Sequence, residues 1–160
     1  MNIIDDFLNL EDLQFLESII DNPFFPWFFQ KEQVKDDSPY FCHILYCNDL
    51  SQSEFYPKVL GIFKNYIKWI SLYRLNVNLS AKINSASNFH TDTSGQEDET
   101  KMTSAIFYLN TNNGYTEFED GSTVDSVRNR FVTFPTNIPH RAVGQTDTDK
   151  RIVLNFNYIG

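Results

Sequence analysis

The chain has 160 residues, with 13 Lys or Arg set against 21 Asp or Glu, and a formal net charge of -8. Its hydrophobic fraction is 41% and its aromatic fraction 16%, which is enough apolar surface to exclude disorder as the main state and suits one ordinary domain. The acidic balance argues against nucleic acid as a partner, because phosphate-backbone binding runs on clustered Lys and Arg.

No run approaches 18 apolar residues, so no membrane-spanning helix is expected. The first residues, Met1-Asn2-Ile3-Ile4-Asp5-Asp6, carry acids where a secretory signal needs a basic start. Together these features point to a cytoplasmic protein with no membrane partner. Cys42 and Cys47 sit five apart on one predicted strand and would face opposite sides of it. Two buried thiols in a reducing compartment are expected, not a disulfide. His43 lies between them, but no CxxC pair supports a metal site there.

Taken in chain order, Asn9 is a natural N-cap, with Asp12 in the first turn. Leu13, Leu16 and Ile20 recur at helical spacing beside Phe15 and Ile19, and Pro23 and Pro26 end the run. An aromatic cluster follows: Phe24, Phe25, Trp27, Phe28 and Phe29. It reads either as a plug between helix and sheet or as the wall of a substrate cleft. Residues 40–47 are rich in strand formers, and His43 within them reads as a hydrogen-bonded structural histidine. A second helix is expected from about Glu54 to Ile70, with Phe55, Val59, Ile62, Phe63, Tyr66 and Ile70 on one face.

From Tyr73 the period changes to two. Tyr73, Leu75, Val77 and Leu79 alternate with Arg74, Asn76, Asn78 and Ser80, which predicts a strand with one apolar and one polar face. Further strands are expected over Thr103–Leu109, Tyr115–Glu119, Arg130–Phe134 and Lys150–Tyr158, separated by Asn113-Gly114, Asp120-Gly121 and Pro135. The fold class is therefore mainly β within an α+β chain: a jelly roll or cupin-like barrel backed by N-terminal helices. One domain over residues 1–160 is expected, with 1–72 a helical and aromatic support and 73–160 the barrel core. Residues 93–101, rich in acids, read as a mobile lid or as a solvated loop.

The last strand is informative because its two faces differ. Ile152, Leu154, Phe156 and Tyr158 form one, and Arg151, Val153, Asn155 and Asn157 the other. If the first packs under the helices, the second points into the barrel, where a guanidinium and two amides need polar partners. An inward Arg is what a bidentate carboxylate ligand would require.

The chain has three histidines. In His90-Thr91-Asp92 an imidazole and a carboxylate stand two apart, and an extended backbone projects both to the same side. That pair alone is a weak signal, since short motifs recur by chance. His140 strengthens it, because it follows Pro139 and is followed eleven residues later by Arg151 on the final strand. Two His and one carboxylate on one face of an ion form the facial triad of non-heme Fe(II) oxygenases, which leaves positions open for co-substrates. Structural histidines, or a cupin-like barrel holding another ion, are the competing readings.

The segment from His90 to Tyr158 resembles the iron(II)/2-oxoglutarate-dependent dioxygenases, on their prolyl-hydroxylase-like side. The resemblance rests on His90-Thr91-Asp92, Ser104–Asn110, Asn113-Gly114-Tyr115-Thr116, Pro139-His140 and Arg151–Tyr158. The stretches Ile4–Leu8 and Phe25–Phe28 look like those of small single-domain members from phages and marine bacteria. The resemblance implies a double-stranded β-helix in which His90, Asp92 and His140 bind Fe(II) and form the catalytic centre. Arg151 would pair with the distal carboxylate of 2-oxoglutarate, helped by the Tyr108 phenol. Asn155 and Asn78 would add donors, with Thr116 and Asn157 as further pocket candidates.

The implied reaction uses O2 and 2-oxoglutarate as co-substrates, releases succinate and CO2, and hydroxylates a C–H bond. A carboxylate at position 92 favours hydroxylation, because related halogenases carry a small residue there. The substrate, by analogy, is a prolyl residue of a peptide or protein, or a small proline-like amino acid. The competing functions are a nucleic-acid demethylase of the same superfamily and a non-oxygenase barrel that binds a metal or small ligand.

Overall fold

A computed structural model describes residues 1–31, 39–82, 85–92 and 101–160; the acidic segment 93–100, read above as lid or loop, lies outside them. The Asn9 side chain accepts the Asp12 amide at 2.8 Å, satisfying one of the amides left orphaned at a helix start. Helix α1 (Leu10–Ile20) then buries Leu13, Leu16, Ile19 and Ile20 and leaves Phe15 exposed. Helix α2 (Tyr56–Phe63) is shorter than the expected Glu54–Ile70. Pro57, which has no N–H to lose, sets its first turn. After Lys64 the chain tightens, with the Asn65 amide on the Ile62 carbonyl and the Tyr66 amide on that of Phe63. It then opens so that the Ile70 amide reaches the Ile159 carbonyl at 2.7 Å. Ile70 is consequently exposed instead of on a buried helix face.

The strands are β1 (Asn2–Ile4), β2 (Phe28–Gln30), β3 (Tyr40–Cys47), β4 (Leu50–Ser51), β5 (Ser71–Ala81), β6 (Met102–Tyr108), β7 (Tyr115–Phe118), β8 (Thr123–Asp125), β9 (Arg130–Pro135), β10 (His140–Val143) and β11 (Lys150–Ile159). Eight of them form one sheet in the order β1-β9-β6-β11-β5-β3-β2, with β4 also paired to β3; β10, β7 and β8 form a smaller sheet. These strands pair antiparallel. This is a double-stranded β-helix with both helices against its larger sheet.

Four strands come from the region expected only to support the barrel. Two short strands, β8 and β10, carried too few alternating residues to be predicted. The β7–β8 hairpin turns at Gly121, whose φ of 84° suits glycine. The β3–β4 turn uses Asn48 and Asp49, with φ of 53° and 59°, the pair of positive values a tight two-residue hairpin demands.

Period-two alternation splits the interior in two. On the helix side, Leu75, Val77, Phe107, Phe131, Ile152, Leu154 and Phe156 pack with α1 and α2. Inside the barrel, Ile106, Tyr108, Val132, Phe134 and Val153 pack with Phe118 and Val124 of the small sheet. The expected division of β11 into a helix-facing and a barrel-facing side is the division observed. Gripping this together, Asn129 adopts a positive φ of 66° and exchanges two hydrogen bonds of 2.9 Å with the Leu8 backbone.

The aromatic cluster does not act as a unit. Phe25 is buried, whereas Phe24, Phe28 and Phe29 are exposed. Both cysteines are free thiols, Cys42 buried and Cys47 half-buried; the register slip between Ile44 and Tyr46 sets them opposite Asn78 and Arg74, so they share one face of β3 instead of facing opposite sides as expected. No described helix is long and apolar enough to cross a membrane.

Candidate metal centre and adjoining pocket

His90 is carried by a segment that zips along β10. The Ser87 amide reaches the Ala142 carbonyl, and His90 and His140 exchange reciprocal backbone bonds of 3.0 and 2.9 Å. That bridge sets the two imidazoles side by side, with centroids 4.7 Å apart. Asp92, two residues on, completes the group, and one ligand atom from each of the three side chains lies within 4.8 Å of the others.

The orientation of each ring is fixed from behind. His90 Nδ1 meets the Asn88 carbonyl at 3.3 Å and His140 Nδ1 meets that of Ile138 at 3.1 Å. A carbonyl only accepts, so each Nδ1 carries a proton, and in the neutral ring each Nε2 keeps its lone pair. Both Nε2 atoms face Asp92 Oδ1, at 4.0 and 3.9 Å. Burial holds the His90 pKa below its ordinary value, and His140 beside it pushes the same way while Asp92 opposes both. A neutral imidazole is the form that ligates.

The carboxylate is held as firmly. Asp92 Oδ2 accepts the Ser104 hydroxyl at 2.6 Å and the Asn157 amide at 3.0 Å. Oδ1 accepts from the Arg74 guanidinium at 3.3 Å. Burial alone would raise the Asp92 pKa, but His140, Arg74 and the two hydrogen bonds outweigh it and hold the carboxyl below the usual range. Asn157, expected in the co-substrate pocket, is instead spent on Asp92. It is fully buried, bonded also to Ser104 Oγ at 3.0 Å and to Arg74 Nε at 2.9 Å.

Beyond the histidines a pocket runs into the barrel, lined by Tyr40, Asn78, Ile106, Thr116, Arg151 and Asn155 among others. Arg151 is buried at its closed end. Its Nε donates to Ser126 Oγ at 2.7 Å and an Nη to Thr116 Oγ1 at 3.3 Å. Its guanidinium stands 5.5 Å from the Tyr108 ring centre, and burial pushes its pKa down. The described residues give it hydroxyls and a ring but no carboxylate. Tyr108 stands behind this group, fully buried, its hydroxyl 2.8 Å from Thr116 Oγ1. Asn155 Oδ1 is buried with no hydrogen-bond partner among the described residues. Asn78 accepts from Asn76 at 2.8 Å, which leaves its own Nδ2 unspent by that bond.

Sequence reasoning missed four contributors: Arg74, Ser104, Gly114 and Ser126. Ser104 and Arg74 each lie opposite Asn157 across a strand pair, a relation that only the strand register reveals. Gly114 is more than a turn signal. A Cβ there would meet Asn112 Oδ1 and the Val143 carbonyl at 2.9 Å and Arg151 Cδ at 3.0 Å, so any larger residue would force the Asn112 side chain or the Val143 backbone to shift and would crowd the arginine stem.

No family model and no curated relative matches the sequence. Solved structures do match its fold. An oxidoreductase of the 2OG-Fe(II) oxygenase family from Burkholderia pseudomallei aligns over 98% of this chain and 84% of its own, with a TM-score of 0.67 and 11% identity. A prolyl-4-hydroxylase from Pseudomonas putida aligns over 99% and 92%, at 0.63 and 15%. A non-heme alpha-ketoglutarate-dependent carbocyclase, SnoK from nogalamycin biosynthesis, aligns over 98% and 78%, at 0.70 and 11%. The chain therefore has the fold of the prolyl-hydroxylase-like 2OG-Fe(II) oxygenases, with a His-Asp-His cluster whose ligand atoms could hold a metal ion.

Proposed function

We propose that this chain is a single-domain, Fe(II)- and 2-oxoglutarate-dependent oxygenase that hydroxylates a C–H bond. The observation that carries the reading is the joint geometry of the two ends of one pocket. At one end two imidazole Nε2 atoms, each backed by an Nδ1 that meets a carbonyl, and a carboxylate oxygen converge. At the other a buried guanidinium has, among the described residues, only hydroxyl and ring partners. Two nitrogens and one oxygen suit ferrous iron, and a buried, unpaired cation suits a dicarboxylic acid. A barrel that merely stores a metal has no use for the second feature.

His90, Asp92 and His140 would hold the iron. Arg151 would grip the distal carboxylate of 2-oxoglutarate, with Thr116 and Tyr108 sharing its oxygens. Asn155 and Asn78 would present amide donors beside it; a half-turn of the Asn155 amide exchanges its orphaned oxygen for its nitrogen. Iron and 2-oxoglutarate, when bound, supply the oxidising power: O2 is consumed, the 2-oxo acid leaves as succinate and CO2, and a substrate C–H becomes C–OH. The protein's share is placement and dryness. Ile106 and Val153 line the pocket wall and keep water from the reacting centre, while Ser104 and Asn157 fix which oxygen of Asp92 is free to ligate.

The fold hosts both prolyl hydroxylation and carbocyclisation among its neighbours, so fold alone does not choose the substrate. A prolyl residue in a peptide, or a proline-like amino acid, is the class we favour, acted on in the cytoplasm. The net charge of -8 opposes the nucleic-acid alternative.

The test is succinate formation. Protein loaded anaerobically with Fe(II) is given 2-oxoglutarate and O2, with and without proline-containing peptides and free proline. Succinate that rises with one of these, and disappears in His90→Ala, is the expected result. No succinate from the loaded wild type, or equal amounts from His90→Ala, would refute the reading.

A further inference from the structure

The Asp92 carboxylate has a division of labour that the proposed metal does not explain. Oδ2 is saturated from the sheet side by Ser104 and Asn157. Oδ1, the oxygen facing both Nε2 atoms, already has a protein cation on it: the Arg74 guanidinium, at 3.3 Å. Arg74 is anchored for this, since its Nε donates to Asn157 Oδ1 at 2.9 Å. The Asp92 side chain is 9% exposed and that of Arg74 31%. The carboxylate is thus buried and the arginine reaches it from the rim.

Two consequences follow from charge alone. A buried carboxylate without a counter-charge is costly, and Arg74 supplies one when no metal is present. A divalent cation that takes Oδ1 must then bind beside a fixed positive charge, which weakens its hold. We propose that Arg74 is a positioning residue that acts as a stand-in for the metal: its guanidinium pairs with Asp92 Oδ1 and keeps the carboxylate aimed in the metal-free site, and it competes with the incoming cation for that oxygen. The inference rests on the metal reading above. It adds that the site is built to stay folded when empty and to bind its metal less tightly than its ligand set would allow.

A merely structural Arg74 makes the opposite prediction. If it served only to brace Asn157, its loss would loosen Asp92 and weaken metal binding. The test uses Arg74→Met, which keeps length and loses charge, and Arg74→Lys, which keeps charge. Two readouts are taken on full-length protein: the Tm after EDTA treatment, and the dissociation constant for Mn(II), read from the electron paramagnetic resonance signal of the free ion.

Arg74→Met is expected to lower the metal-free Tm by about 2 to 4 °C and to tighten Mn(II) binding roughly tenfold. Arg74→Lys is expected to stay close to wild type on both. Mn(II) binding that is unchanged or weakened in Arg74→Met, or a metal-free Tm that does not move, overturns the proposal. If Arg74→Met does not fold without metal, recovery of its folded circular dichroism on adding Mn(II) supports the proposal and lack of recovery overturns it. Wild type that binds no Mn(II) defeats the metal reading itself, a result separate from any difference between the variants.

Discussion

His43 on one side of the molecule and the His90–His140 pair on the other begin from the same device. Each imidazole gives its Nδ1 proton to a backbone carbonyl: Pro26 for His43 at 2.6 Å, Asn88 and Ile138 for the others at 3.3 and 3.1 Å. They part at the second nitrogen. His43 Nε2 accepts the Ser53 hydroxyl at 2.7 Å, so the ring is satisfied and its work is structural. The Nε2 atoms of His90 and His140 meet no donor among the described residues; both face Asp92 Oδ1, at 4.0 and 3.9 Å. A buried histidine is a ligand candidate when its second nitrogen is left to something the protein does not supply.

The largest effect that sharpens this contrast is loss of a ligand ring. His140→Ala should abolish measurable Mn(II) binding and succinate release while the chain still melts cooperatively. His43→Gln should leave Mn(II) binding within about twofold of wild type and register only in the Tm. Equal loss of metal binding in both variants would erase the distinction.

How much of this was legible beforehand depends on distance along the chain. His90 and Asp92 could be paired because i and i+2 share a side of an extended backbone, and Arg151 could be aimed inward because β11 alternates without a break until Asn157. His43 could be set aside because a run of strand formers surrounds it. Ser104 and Arg74 could not be found this way. Their role comes from standing opposite Asn157 on two neighbouring strands, and register between strands distant in sequence is not written in either strand alone. The same limit hid the true place of Asn157, which shares a face with Arg151 but is captured by Asp92. Helix α2 was overextended for a different reason: an apolar period continued past Lys64, but the pairing of Ile70 with Ile159 pulled the backbone straight.

The next effect in size separates the two ends of the pocket. Arg151→Met should weaken 2-oxoglutarate binding by about a hundredfold, since a buried charge-assisted contact carries 2 to 3 kcal/mol or more. Mn(II) affinity should hardly change. Because the described residues offer the guanidinium no counter-charge, removing it also removes a desolvated cation, and the Tm should hold or rise. A falling Tm with unchanged 2-oxoglutarate binding would make Arg151 a structural residue. Smaller again is Ser104→Ala, which strips one donor from Asp92 Oδ2 and should cost about tenfold in Mn(II) affinity, measured by the same titration.

The smallest effect is the pH dependence of stability at His43. Burial holds its pKa below the ordinary value, with the Pro26 carbonyl opposing only in part, so the folded state favours the neutral ring. An unfolded chain takes up its proton near the ordinary value of about 6.5. Between that pH and the lower folded value the unfolded state therefore binds more protons, and stability rises with pH across the window. His43 contributes its full stabilisation above about pH 6.5, and that contribution is lost as acidification passes through the folded pKa. Urea unfolding from pH 7.5 down to pH 5 should show wild type losing stability over this range. The His90 ring, also pushed down by burial, adds a loss of the same sign in metal-free protein. The difference between wild type and His43→Gln, measured after EDTA treatment, isolates the His43 part: the variant should start lower at pH 7.5 and lose less on acidification. Parallel curves would mean that the ring bonded to Pro26 and Ser53 does not resist protonation.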